Sequence, residues 1–181
     1  MELLSADGDF VALTIDGYQF PDVSGSGTHD WDANWLRVAG RVKSGDSEWA
    51  FRDPCLTTWE ARELSSWLHC VADGSQRPAP VGPETSSCDM LVLTEPCLTF
   101  SYQSRSGRGV SIRAYLSSEA LPKSLASADP FEHFVELVLS PDELAVATDG
   151  ESAYALDDVF AAERDVRFDE PMSGSETAEY L

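Results

Sequence analysis

The chain has 181 residues, which suits one domain of ordinary size, and 43% of them are hydrophobic, which predicts a packed core. Acidic residues outnumber basic ones by 32 to 12, and the formal charge of -20 argues against binding to nucleic acid or to an anionic membrane. The sequence has no apolar run near the ~20 residues of a membrane helix, and its first residues lack the basic segment and apolar core of a signal peptide.

Three strands are predicted before the first long helix. Apolar and polar residues alternate with the period of a half-buried strand over 9–16, over about 35–42 and over about 48–52. The last two segments are joined by a short polar turn that contains Gly45, which is typical of a hairpin.

The clearest element of the sequence is a helix at about 57–73. Thr57 and Glu60 fit a capping box, in which each residue binds a free backbone amide of the first turn. Apolar residues at helical spacing follow, and Gly74 is the type of residue that ends a helix because it tolerates positive φ. A linker rich in Pro, Gly and Ser is expected over 74–87.

The second half of the sequence predicts further strands and one short helix. The strands are expected at about 89–94, 98–104, 110–117 and 133–139. Ser140 and the acids after it indicate the start of a helix over about 141–148. We therefore predict one α+β domain over 1–164, with a mainly antiparallel sheet of about 6–8 strands, and a disordered acidic tail over 165–181.

The four cysteines, Cys55, Cys70, Cys88 and Cys97, contain no CxxC spacing. A zinc ribbon or a redox pair of the thioredoxin type is therefore not supported, and we expect free thiols in a cytoplasmic protein. Two of these cysteines lie in similar segments, DPCLT at 53–57 and EPCLT at 95–99. Five residues do not establish a repeat, so we interpret the segments as two similar turns at strand edges.

The sequence gives little indication of a catalytic or metal site. Asp30, Asp32 and Asn34 open a calcium loop, but Trp35 occupies the position of the required Gly and Arg41 that of the required Glu. The motifs of a serine hydrolase, a P-loop or a dinucleotide site are lacking, so no catalytic residue, cofactor or metal ligand is predicted. A hydrolase with paired carboxylates stays open, because 32 acids offer many pairs.

The acidic residues are concentrated at the two ends of the chain. The first 36 residues hold seven acids and no Lys or Arg, and residues 149–181 hold ten acids and two bases. One interpretation is solubility, as in many acidic proteins, and the other is an acidic face for a cationic partner.

Five segments together resemble the immunity proteins of the WapI family, in the expected order and over about residues 9–147. They are DGYQFP at 16–21, WDANWL at 31–36, DPCLTTWE at 53–60, EPCLTF at 95–100 and LSPDELA at 139–145. The resemblance implies a bacterial cytoplasmic antidote that binds a toxin at the C-terminal end of a large cell-wall-associated or polymorphic protein used in contact-dependent competition. The namesake toxin is similar to a tRNA-cleaving nuclease, and no catalytic residues come with the family.

These observations lead to one main hypothesis: stoichiometric neutralisation of a basic toxin domain, expected to be a nuclease. The candidate contact residues are Asp30, Trp31, Asp32 and Asn34, with Trp31 as the anchor. Two alternatives stay open: a small hydrolase that uses paired carboxylates, and a housekeeping acidic interaction module.

Overall fold

Eight strands form two antiparallel sheets of four in the computed structural model, which describes residues 1–23, 30–80, 90–125 and 129–149. In each sheet the strands neighbour one another in chain order. The first sheet contains β1 Glu2–Leu4, β2 Phe10–Tyr18, β3 Trp35–Ser44 and β4 Ser47–Thr57. The second sheet contains β5 Met90–Val92, β6 Leu98–Ser106, β7 Gly109–Leu116 and β8 Phe134–Leu139.

Three α-helices accompany the sheets in the residues described: α1 Trp31–Asn34, α2 Thr58–Asp73 and α3 Pro141–Asp149. Two single turns of 3-10 helix lie between β7 and β8, at Ser118–Ala120 and Lys123–Leu125. The predicted α+β class, the antiparallel pairing and both predicted helices are thereby confirmed. None of the helices in the described part of the chain has the length and apolar character needed to cross a membrane.

Helix α2 forms where the capping box predicts it. Thr57 Oγ1 accepts a hydrogen bond from the Glu60 amide at 3.3 Å, and the Glu60 carboxylate accepts one from the Thr57 amide at 2.8 Å. The helix buries a stripe at the spacing of one helix face, formed by Ala61, Leu64, Leu68 and Val71. It ends at Gly74, whose φ of 84° is the left-handed conformation that favours glycine.

The inner faces of both sheets and the apolar faces of α2 and α3 form one hydrophobic core. The strands of the first sheet contribute Val11 and Val38, and those of the second contribute Phe100, Ile112 and Leu137, all fully buried. Each side chain of this kind stabilises the fold by about 1.5–3 kcal/mol relative to leaving it exposed. The period-two alternation in the sequence therefore corresponds to one face in the core and one face outward.

Strand β4 extends further than the sequence predicts. We expected a strand to about residue 52 and a turn at 53–57, but β4 pairs with β3 as far as Thr57, directly before α2. Pro54 is accommodated because β4 is an edge strand and because Cys55 forms a bulge beside it. The backbone N–H that proline lacks is therefore not needed for the hydrogen bonds between β3 and β4. The segment 53–57 is therefore part of a strand.

The two sheets meet where the chain begins. Ser5, just after β1, accepts a hydrogen bond from the Val138 amide at 3.1 Å, and the Ala6 amide donates to the Val138 carbonyl at 3.5 Å. Residue 5 thereby binds an edge strand that lies 133 positions later in the chain. A second link lies elsewhere, where Trp49 Nε1 donates to the Ala120 carbonyl at 2.9 Å.

Several predictions fall on residues outside the described ranges. They are the disordered tail at 165–181, the domain boundary at 164, the thiol of Cys88 and the later part of the linker at 74–87. These stay predictions.

The two similar segments around Cys55 and Cys97 meet in the core. Both cysteines are free and buried, and the Cys55 side chain acts on the Cys97 thiol at close range. The neighbouring Cys55 side chain, followed by burial, raises the pKa of the Cys97 thiol well above its usual range. Because the thiolate is the reactive form of cysteine, the Cys97 thiol is expected to be inert in the folded protein, and burial shields Cys55 from reagents.

We therefore expect native alkylation at neutral pH to modify Cys70 and to leave Cys55 and Cys97 unmodified. Cys70 is partly exposed on α2, whereas the other two require local opening of the core. After unfolding without reductant, mass spectrometry should find all four cysteines modified. Two or fewer modified cysteines in the unfolded chain would reveal disulfides and contradict the expectation of free thiols.

Candidate functional site

The short helix α1 holds the predicted contact loop against the start of α2. Asp30 caps α1 by accepting a hydrogen bond from the Ala33 amide at 3.4 Å, and its carbonyl accepts from Asn34 Nδ2 at 2.7 Å. Asn34 Oδ1 in turn accepts a hydrogen bond from Thr58 Oγ1, the first residue of α2, at 2.6 Å. Asn34 is only 8% exposed, so this amide is an internal brace between the two helices.

Trp31 is the exposed member of a cluster of three tryptophans. Its ring meets the ring of Trp59 edge-on, with centroids 5.1 Å apart, and lies 6.4 Å from the ring of Trp35. Trp35 begins β3 and Trp59 lies in the first turn of α2, so each ring comes from a different element. Trp31 keeps 49% of its surface exposed although it is packed on two other rings, which makes it a large, pre-ordered apolar surface.

The segment that follows β2 runs beside this tryptophan cluster. The Gln19 amide donates to the Trp35 carbonyl at 2.8 Å, and the next turn leaves Phe20 and Val23 exposed. Asp22 on this segment and Asp32 on α1 are also exposed. The region therefore combines exposed aromatic surface with carboxylates, the composition of an interface core with a charged rim.

The four predicted contact residues thus have two different environments. Trp31 and Asp32 are exposed and available to a partner, whereas Asp30 and Asn34 make the hydrogen bonds that fix the loop. The sequence gives no sign that Trp59 is a neighbour of Trp31. The capping box places Trp59 in the first turn of α2, but only the fold brings that turn to α1.

A second group of exposed aromatic residues lies on the second sheet. Phe131 and Phe134 are exposed and contact the ring of Tyr115 at centroid distances of 5.8 and 5.5 Å. The guanidinium of Arg113 lies 4.4 Å from the centre of the Phe134 ring and binds Glu136 through two hydrogen bonds of 3.1 Å. The charge of Arg113 is thereby compensated within the chain, which makes this group a suitable comparison for the tryptophan cluster.

The carboxyl of Asp53 bears on the hydrolase alternative. Partial burial, and then the negative charge of Glu119, raise the pKa of Asp53 above its usual range. A raised carboxyl pKa is one property of a general acid, but a structural acid beside another acid has it too. Within the described ranges, no three His, Cys, Asp or Glu side chains are grouped as metal ligands would be.

Comparison with known proteins gives one match. The family model described as the immunity protein WapI-like family matches residues 2–154, which include both sheets, all three helices and the tryptophan cluster. No curated protein and no solved structure matches the chain.

Proposed function

The chain belongs to the WapI-like family of immunity proteins, and on that premise we propose that it neutralises a cognate nuclease toxin in the bacterial cytoplasm by stoichiometric binding. The family match carries this proposal, because it spans most of the chain, including every element that surrounds Trp31. The toxin is proposed to be the C-terminal domain of a protein used in contact-dependent competition.

The charge of the chain supports a basic partner. A nuclease binds the phosphate backbone with Lys and Arg, and a protein of net charge -20 attracts such a surface over long range. Charge complementarity mainly accelerates association and excludes wrong partners, while desolvated contacts supply most of the affinity.

The tryptophan cluster supports a site for those desolvated contacts. Trp is enriched among the residues that dominate binding energies, and an exposed Trp that is already packed loses little conformational freedom on binding. We place Trp31 at the centre of the toxin interface, with Asp32 at its rim.

The proposal is tested by co-expression with a candidate toxin domain, sought among the genes that neighbour this one. Wild-type chain is expected to restore growth, and titration of purified toxin is expected to reach full inhibition at one chain per toxin domain. A chain acting as a hydrolase would inactivate many toxin molecules, and Asp53→Asn would abolish protection. Protection by Asp53→Asn at wild-type level, together with equimolar inhibition, supports binding, whereas growth arrest with wild-type chain contradicts the proposed function.

Association with the toxin is expected to be steered by charge. We expect the association rate constant to fall about tenfold between low and physiological ionic strength, since exposed charges are screened beyond ~8 Å at 0.15 M. The dissociation rate should change much less, because desolvated contacts are screened weakly. Stopped-flow fluorescence at several salt concentrations measures both rates.

Asp32→Lys tests whether the contact loop faces the partner, and Asp46→Lys is its matched control. Both residues are exposed and both substitutions change the charge equally, but Asp46 lies in the turn after β3, about 30 Å along the strand from Trp35. We expect Asp32→Lys to slow association more than Asp46→Lys does. Equal effects would place the binding face elsewhere on the chain.

A further inference from the structure

Arg37 occupies an irregular position on the outward face of the first sheet. The residue is paired on both sides, but β2 carries an extra residue at Asp16 and β4 carries one at Cys55. Bulges of this kind bend a strand and redirect a side chain, and they are frequent beside binding sites. Here the bulge in β2 brings Asp16 to the side chain of Arg37.

Two guanidinium groups share the single carboxylate of Asp16. Arg52, from β4, donates a hydrogen bond to Asp16 Oδ2, and Arg37 Nε lies 3.9 Å from the same oxygen. Arg37 Nη2 donates to the Asp16 carbonyl at 3.5 Å, and the buried Arg37 Nε has no hydrogen-bond partner among the residues that the structure describes. The group therefore has one positive charge in excess and at least one unsatisfied donor.

This arginine pair is open to a partner and adjoins the tryptophan cluster. The side chains of Arg52 and Arg37 are 63% and 43% exposed. Arg37 follows Trp35 by two positions on β3, so both point to the same face of the sheet, and Trp35 contacts Trp31. A protein that covers Trp31 and extends along β3 by a few residues would therefore reach Arg37, and then Arg52, which pairs with Ala39.

The rest of this face distinguishes the arginine pair from ordinary surface charge. Arg41 and Lys43 also lie on the outward side of β3, in a chain of net charge -20. Arg41 is compensated by Glu48 at 3.1 Å, whereas the charge of the arginine pair exceeds that of its one acid. A guanidinium binds a carboxylate through two parallel hydrogen bonds, which selects both the group and its orientation.

We propose that Arg37 and Arg52 bind an Asp or Glu side chain of the toxin domain, beside the contact made by Trp31. The inference rests on the proposed function and adds the chemistry of the partner. The toxin surface is basic overall, and it carries one carboxylate next to the apolar site that receives Trp31. Such a carboxylate supplies the missing charge and accepts hydrogen bonds from the exposed guanidinium nitrogens of the arginine pair. This contact also fixes the position of the two proteins relative to each other, because the long-range attraction between them does not select one orientation.

Two substitutions that change the local charge in opposite directions test this assignment. The quantity measured is the affinity of each variant for the purified toxin domain. Arg52→Gln removes a donor and is expected to weaken the affinity about tenfold, as for a hydrogen bond to a charged group. Asp16→Asn frees both arginines for the partner and is expected to tighten binding severalfold. A merely structural role of the group predicts loss in both variants. Arg41→Gln, on the same face but paired with Glu48, is the control and should leave the affinity unchanged.

Calorimetry and thermal unfolding of each variant separate binding from folding. Weaker binding of Arg52→Gln together with tighter binding of Asp16→Asn supports the assignment. The reverse pattern would mean that the partner presents a basic side chain here, and it would overturn the assignment. Unchanged affinity in both variants, with wild-type chain still binding, overturns the arginine site and leaves the immunity function intact. Loss of wild-type binding contradicts the proposed function itself. A different outcome is that the free chain self-associates and that Arg52→Gln abolishes this self-association. This result would show that the arginine pair binds a second copy of the chain, and it would overturn the proposal that the pair binds a carboxylate of the toxin.

Discussion

Trp31→Ala is expected to weaken binding to the toxin domain by about 100-fold, or ~2.7 kcal/mol, which is typical of a Trp at the centre of an interface. Nearly half of the Trp31 surface is open, while Trp59 and Trp35 hold its ring in place. Most of the loss should appear as faster dissociation, since affinity differences within one interface lie mainly in that rate. Surface plasmon resonance gives both rate constants, and the growth assay should show a matching loss of protection.

Phe131→Ala is the matched control for Trp31→Ala. Phe131 is also an exposed aromatic residue whose ring meets another edge-on, here Tyr115 at 5.8 Å, but it belongs to the group on the second sheet. Both variants lose a similar aromatic contact, so thermal unfolding should report similar changes in stability. Weakened binding in Phe131→Ala together with unchanged binding in Trp31→Ala would move the interface to the second sheet.

Glu60→Ala is expected to lower the free energy of unfolding by about 3–5 kcal/mol. The Glu60 carboxylate is buried and accepts hydrogen bonds from the Thr57 amide and hydroxyl, both at 2.8 Å, and from the Thr94 amide at 2.5 Å. Removing it leaves these donors unsatisfied at about 1–3 kcal/mol for each buried group, and α2 also loses its cap. Urea unfolding followed by circular dichroism measures the loss.

The second capping box of the chain is the control for Glu60→Ala. Glu143 accepts a hydrogen bond from the Ser140 amide at 2.6 Å, and its own amide donates to Ser140 Oγ at 3.2 Å. This box caps α3 near the surface, so water replaces the lost partner and Glu143→Ala should cost much less than Glu60→Ala. Equal losses in the two variants would show that the cost at Glu60 comes from the helix cap alone and not from the link to Thr94.

The elements that the sequence predicts best are those encoded by neighbouring residues. The capping box and Gly74 locate α2 within one residue, because a helix is built from contacts three and four positions apart. Strand β1 is missed because three residues, of which only Leu3 is buried, carry no measurable period. The end of β4 is misjudged because Pro54 is typical of turns, and only its pairing with Arg37 shows that it lies in an edge strand.

The candidate site required tertiary information for the same reason. The sequence indicates that Trp31 and Asp32 lie in an acidic loop, but the role of Asn34 depends on Thr58, 24 positions later. The arginine pair is assembled from three strands, with Asp16 and Arg52 36 positions apart. Its geometry depends on two bulges, and a bulge leaves little trace in the alternation of apolar residues.

The contact between Ser5 and Val138 has a consequence for protein synthesis. The first strand leaves the ribosome early, yet its neighbour in the second sheet is the last strand of the described residues to be made. The two sheets can therefore close only after β8 has cleared the exit tunnel, when most of the chain has been made. A nonsense mutation anywhere before the end of β8 would leave the first sheet without this contact, and we expect it to remove the protection that an immunity protein gives.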